Sequence, residues 1–166
     1  ELKELSHPSG EVIKIAAGKT LDLKSQGTTT LPTGSVLQVV SMDTSAGTSL
    51  NSTSYVDTPI TLTITPSSTS SKILCMWTIE VKLIANDRGI GTKLLRDSAT
   101  AYESGTSYDV YAGADNDRQR PCWTVLDSPN TTSAVVYKVQ VVTYGGAVGV
   151  NDAGNSSQIT LMEIQG

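Results

Sequence analysis

The side chains able to do chemistry in this sequence are few and scattered. The single histidine, His7, stands near the N-terminus, so a Ser-His-Asp or Cys-His arrangement in the main body has no imidazole base. Cys75 and Cys122 have no neighbouring His and neither the spacing of a zinc site nor that of a disulfide framework. They read as two buried thiols, the alternative being a bridge between neighbouring strands. Gly145-Gly146-Ala147-Val148-Gly149 has the glycine density of a phosphate-cradling loop, but it lacks the Lys-Ser/Thr pair and no helical pattern follows. It reads as a turn. Asp115-Asn116-Asp117 presents three oxygen side chains of the kind calcium takes, without the following Gly and distant Glu of a calcium loop. It reads as a solvated turn. A glycosidase needs two carboxylates roughly 5 to 10 Å apart, and nothing marks out a pair among Asp87, Asp97, Glu103, Asp115, Asp117 and Asp127. The expectation is no metal, no cofactor and no catalysis.

What remains is recognition. Tyr102, Tyr108, Tyr111 and Trp123 fall in or near a loop-rich middle stretch, and aromatic side chains there are a usual route to sugar or protein contact. The chain contains no Phe, so Tyr and Trp must also do packing that Phe ordinarily does, and half of these aromatics are expected in the core. With Asp115 and Asp117 they form the candidate contact set. Asn51, Asn130 and Asn155 match the N-x-Ser/Thr pattern; in a chain this rich in Ser and Thr the match reads as chance.

The elements that must position these residues are strands. At 166 residues with 17% charged side chains, below the norm of about 25%, the chain is long enough for one domain and an appendage. Val, Ile and Thr are abundant, which favours pleated, half-buried surfaces over helices. The net charge of −4 comes without a Lys/Arg cluster, so nucleic acid and anionic membranes are not expected partners. No apolar run approaches the ~18 residues of a span, and no basic-then-apolar leader opens the chain. Membrane insertion is therefore not expected, and a start at Glu1 rather than Met reads as a fragment or processed product.

Residues 1–34 differ from the rest. Gly10 to Leu23 holds two short β-like runs about a turn, followed by the loop Ser25 to Thr30, with too few apolar residues for a core of its own. Such a segment packs against copies of itself or a neighbouring repeat, as a fibre shaft does. Leu31-Pro32-Thr33-Gly34 reads as the joint. Residues 35–166 then show strand patterns at Ser35–Met42, Thr58–Thr65, Ser71–Ala85, Gly91–Arg96, Tyr108–Ala112, Pro121–Leu126, Ser133–Tyr144 and Ser157–Ile164, a spacing that suits a sandwich or jelly roll. Ile73, Cys75, Trp77, Ile79, Val81 and Leu83 share one face. So do Val135, Tyr137, Val139 and Val141, with Lys138 and Gln140 opposite. Asp43–Ser54, Asp97–Ser107 and Ala112–Arg120 read as long polar loops, the places where such folds carry recognition.

Several stretches carry a resemblance: Gly34-Ser35-Val36-Leu37-Gln38-Val39-Val40, Ile64-Thr65-Pro66-Ser67-Ser68-Thr69-Ser70-Ser71-Lys72-Ile73-Leu74, the run from Leu126 to Val139, and the closing Ile159-Thr160-Leu161-Met162-Glu163-Ile164. In this order they resemble a module of tail-fibre and other virion proteins of cyanophages and related marine phages. Gly18-Lys19-Thr20-Leu21-Asp22-Leu23 is similar to the short β segment that often precedes it. The resemblance implies an all-β protein: an antiparallel β-sandwich or jelly-roll head of tumour-necrosis-factor-like outline on a short β stalk, forming a homotrimer. It implies a virion location on tail fibre or capsid surface, and binding of a host cell-surface polysaccharide or outer-membrane protein. Residues 1–34 would join other virion proteins. The competing expectations are a capsid decoration or head-fibre protein and, from another class, a polysaccharide depolymerase. The module brings no established binding residues to carry over.

Overall fold

The computed structural model describes residues 17–19, 31–104 and 109–166. Two compact units divide the chain, Glu1–Leu31 and Pro32–Gly166. The β-like runs read between Gly10 and Leu23, and the loop Ser25 to Thr30, fall almost entirely outside the described residues, as does Tyr108.

The unit Pro32–Gly166 is built from strands. In chain order they are β1 (Val36–Thr44), β2 (Thr48–Leu50), β3 (Val56–Ile64), β4 (Lys72–Thr78), β5 (Val81–Leu83), β6 (Gly89–Arg96) and β7 (Ala99–Glu103). There follow β8 (Val110–Tyr111), β9 (Asp117–Gln119), β10 (Cys122–Asp127), β11 (Val135–Tyr144), β12 (Val148–Val150) and β13 (Ser157–Ile164). Among the described residues the only helical element is a 3₁₀ turn at Asp152–Gly154, and no helix is long and apolar enough to cross a membrane.

One layer has the order β1-β13-β4-β10 and continues as β2-β12-β5-β9, the same chain segments resumed after a short break. The other has the order β3-β11-β6-β7, with β8 paired to the end of β6. All the pairings are antiparallel. The chain passes from the first layer to the second and back three times, pausing in the second for the β6–β7 hairpin. This is the strand order of a jelly roll, and it agrees with the all-β sandwich expected from the sequence.

The core lies between the layers. Ile73, Cys75, Trp77, Ile79, Val81 and Leu83 are all buried, as the period-two stripe requires. Facing them, Val135, Tyr137, Val139 and Val141 are buried too, while Lys138 and Gln140 both reach Asp57 at 2.8 Å on the outer face. Trp77 occupies the middle: Trp123 stacks on it with centroids 5.7 Å apart, and Tyr102 meets it edge-on at 5.7 Å. In a chain without Phe, this cluster of three rings fills the centre.

Several local expectations need correction. Asp97–Ser107 contains the strand β7, because Ala99–Glu103 pairs with the edge of β6. Asp43–Ser54 and Ala112–Arg120 contain β2 and β9. The Ser71–Ala85 run is broken at Ile79–Glu80, opposite Pro121, whose carbonyl accepts from Ile79 N at 3.2 Å. The stretch Gly145 to Gly149 turns at its first two residues and then enters β12. Cys75 is buried but Cys122 is exposed, and both are free thiols.

The two outer faces differ. Register places Leu126, Leu74, Met162 and Val39 in one row across the first layer, and Leu126 and Val39 are about half exposed. Val36 and Ile164 follow in the next row. The second layer instead presents Asp57, Lys138, Gln140, Lys93 and Glu103 in ion pairs and hydrogen bonds.

Candidate functional site

The antiparallel order assigns each connection to an end of the unit. At one end, the base, lie the connections 65–71, 97–98 and 128–134. The chain enters there too: Gly34 N donates to Gln165 O and Gln165 N to Ser35 O, both at 2.8 Å. At the other end, the tip, lie 51–55, 84–88, 112–116 and 145–147, with the short strand β8 beside them. The tip connections lie at the end opposite the point where the chain enters this unit.

The base is closed by polar groups from both layers. Arg96 Nη1 reaches both oxygens of Asp127 at 2.8 Å and the Ser128 carbonyl at 3.1 Å. Tyr137 donates its hydroxyl to Asp127 Oδ2 at 2.7 Å. Burial, reinforced by that bond to a carboxylate, drives the Tyr137 hydroxyl pKa far up. Glu163, fully buried, accepts from Ser67 N and Oγ at 2.7 Å and from Gln38 Nε2 at 2.6 Å. Burial raises its pKa, but the Ser71 and Ser67 hydroxyls and the Gln38 amide outweigh that and hold it below the ordinary value.

At the tip the side chains are tied locally. Tyr111 is 45% exposed and donates to Asp87. Asn86 N donates to Asp115 Oδ1 at 2.7 Å, and Asn116 N to the Ile84 carbonyl at 3.3 Å. Gln119 Nε2 bridges Asp117 Oδ2 at 2.8 Å and the Tyr111 carbonyl at 3.0 Å. Asp87 and Asn116 have φ of 57° and 58°, values that Asn and Asp tolerate better than other side chains. Gly145, at φ 76°, lies where a Cβ would collide with the Asp87 carbonyl, so the 84–88 and 145–147 turns interlock through the absence of a side chain.

Of the residues singled out from the sequence, the structure thus gathers Tyr111, Asp115 and Asp117 at the tip. It turns Tyr102 and Trp123 inward onto Trp77, and burial raises the Tyr102 hydroxyl pKa. The six carboxylates weighed as a catalytic pair divide between the base, the second layer's outer face and the tip. Asp127 and Asp97 lie at the base, where Asp97 accepts from Val136 N, Glu103 pairs with Lys93, and Asp87, Asp115 and Asp117 lie at the tip. Among the described residues no group of three His, Cys, Asp or Glu side chains could hold a metal ion.

A second polar cluster had no signal in the sequence beyond isolated charges. Lys82, Arg118, Glu80 and Asp152 meet where the first layer breaks: Lys82 Nζ is 3.3 Å from Asp152 Oδ2, Arg118 Nη2 is 2.6 Å from that same oxygen, and Arg118 Nη1 is 2.7 Å from Glu80 Oε1. Lys82, seconded by Arg118, holds the Asp152 carboxyl below its ordinary pKa.

No family model matches this chain, and no curated protein matches it. Among solved structures it is similar to a mutant VP2 protein of infectious bursal disease virus in derived T=1 particles, at 11% identity and TM-score 0.47, over 87% of this chain and 40% of that one. It is similar to the VP2 subviral particle of the same virus at 11% identity and TM-score 0.45, over 88% and 42%. A further structure of T=1 particles derived from that virus gives 8% identity and TM-score 0.49, over 89% and 40%. The chain spans about two fifths of the length of these solved chains. Its assignment as a jelly roll rests on its own strand order.

Proposed function

We propose that this chain is a structural protein of a bacteriophage virion, a tail-fibre-like head that binds a host cell-surface polysaccharide or outer-membrane protein through its tip. The observation that carries this reading is the polarity of the unit. The chain enters at the base, and the tip connections, with exposed Tyr111, Asp87 and Asp115, lie at the opposite end of the unit. In this reading residues 1–34 join other virion proteins and several copies, three by the family resemblance, stand side by side, so weak single contacts gain by avidity. The face that suits packing between copies is the outer face of the first layer near the base, where Val36, Val39 and Leu126 are exposed. The head is proposed to bind without catalysis; what supports this is that each of the six carboxylates is engaged by a neighbouring donor.

Labelled protein should adsorb to cells of the host and block infection, and Tyr111→Ala with Asp87→Asn should weaken adsorption while the melting temperature holds. Antibody gold decorating the capsid rather than the tail would replace the fibre reading by a decoration protein. Light scattering should give three times the mass of a single chain. Val39→Glu with Leu126→Glu should reduce it to one, and a trimer that survives both would move the contact elsewhere.

A further inference from the structure

The break in the first layer makes a concavity of about 360 Å³ on its outer flank. Between β12 and β13 the chain rises into the 3₁₀ turn Asp152–Gly154, and between β1 and β2 it loops through Gly47, so a shallow trough opens over β12. Ser49, Gly149 and Lys82 form one row across its floor. Gly149 is the low point: a Cβ there would lie 3.3 Å from the Asp152 Cβ and 3.7 Å from the Lys82 Cβ. Any larger side chain would fill the trough. Exposed Ile84 supplies an apolar margin.

The wall is held in place from beneath. Asp152 N donates to Glu80 Oε2 at 3.0 Å, and Glu80 is 3% exposed. Asn151, buried, donates its amide to the Thr44 and Ala46 carbonyls at 3.0 and 3.1 Å and accepts from the Ser157 hydroxyl. Ala153 has φ 55°, a left-handed conformation that strains a residue with a Cβ and persists where the surroundings over-determine it, as they do at binding sites. A turn held this firmly fixes the Asp152 carboxylate before any ligand arrives.

The chemistry of the trough is balanced. Its lining carries one cation, Lys82, and one carboxylate, Asp152, so no net charge draws in an ion; Arg118, outside the lining, is a second cation on Asp152. Both cations meet Asp152 at Oδ2, and among the described residues no donor meets Oδ1. An ammonium, a carboxylate oxygen and the Ser49 hydroxyl beside an apolar margin match a neutral ligand that alternates hydroxyls with C–H faces. The volume lies at the lower end of the range for small-molecule sites, roughly 300 to 1,000 Å³.

We propose that this trough binds a neutral hexose, with a pair of ring hydroxyls shared between Asp152 Oδ1 and Lys82 Nζ and the ring lying over Gly149. The site lies on the flank and meets the tip only at Ile84, and the proposal stands whether or not the protein belongs to a virion.

The test is a ¹⁵N–¹H titration of the full chain with methyl α-mannopyranoside, methyl α-glucopyranoside, methyl β-galactopyranoside and N-acetylglucosamine. At least one should give saturable shifts confined to the amides of Ser49, Lys82, Gly149 and Asp152 and their neighbours. Gly149→Val should abolish those shifts and leave the remaining spectrum in place. Asp152→Asn, which keeps the side-chain shape should the first variant misfold, should weaken binding about tenfold, as loss of a charge-assisted hydrogen bond requires. Absence of shifts with all four sugars, or shifts that persist in both variants, overturns the proposal. Adsorption of the protein to host cells is a separate readout, so failure here leaves the tip reading standing, and the converse holds.

Discussion

Arg96 with Asp127 at the base, and Tyr111 with Asp87 at the tip, are both polar pairs, but they are built from different parts of the fold. Arg96 comes from the second layer and Asp127 from the first, their side chains are 26% and 12% exposed, and Tyr137 adds a bond from within the core. Tyr111 ends the short edge strand β8, Asp87 lies in the turn beside it, and both are exposed. A pair that spans the core is part of what holds the layers together, since removing one partner strands the other away from water. A pair on the surface can be lost with water taking its place. The base therefore holds its polar pair between the layers, while the tip keeps its own at the surface, in contact with water.

Substitutions can break this comparison. The largest effect is expected at the base: Asp127→Ala leaves Arg96 and the Tyr137 hydroxyl without their partner and should cost roughly 3 kcal/mol, seen as a lowered denaturant midpoint. Next comes Tyr137→Phe, which deletes one buried hydrogen bond and should cost about 1 kcal/mol. The same measurement on Tyr111→Ala and Asp87→Asn, which keeps a side chain suited to the φ of 57° there, should stay within about 0.5 kcal/mol. Tip variants that destabilise as much as Asp127→Ala would erase the distinction drawn here.

Acid sharpens the contrast. Glu163 holds its proton less readily in the folded chain than its ordinary value of 4.5 implies. Its contribution is therefore complete above that value and is lost as the pH falls through the lower, folded pKa. Glu163→Gln should lower stability at neutral pH and flatten the loss on acidification. Asp57 and Asp152, whose pKa values are also held down, should keep part of the slope, and an unchanged profile in Glu163→Gln would remove Glu163 from the account. A smaller effect separates inside from outside: burial pushes the Cys75 thiol up to about 12, so one thiol per chain, Cys122, should react with an aromatic disulfide reagent before unfolding. Two fast thiols would mean the core opens.

Much of the fold was legible because alternation is local. The stripe Ile73 to Leu83 and the run Val135 to Val141 predicted both their strands and their buried faces. The strand Ala99–Glu103 was hidden, since Ala-Thr-Ala-Tyr-Glu has no strong alternation and becomes a strand by pairing along the edge of β6. The interruption at Ile79–Glu80 was hidden as well, because the apolar stripe runs through it and the break depends on Pro121, Asn151 and Ser157 brought alongside from elsewhere. Of the candidate contact residues, Tyr111, Asp115 and Asp117 reach the tip, whereas Tyr102 and Trp123 pack on Trp77. An aromatic in a chain without Phe fits either place, and residue type alone does not choose.

The sequence by itself determined the strand class and most of the inward faces, and it left no histidine beyond His7 for a catalytic base. Those properties follow from composition and from a period of two residues along the chain. The tertiary structure decided which strands are neighbours, that Glu163 is buried against Gln38 and Ser67, and that Lys82, Arg118, Glu80 and Asp152 meet in one ion-pair cluster. Gln38 and Glu163 stand 125 residues apart in the chain, and no periodicity reaches that far. Such pairs form because two layers must close over one core, and the polar groups carried inside must then find partners from whichever segments the closure brings alongside.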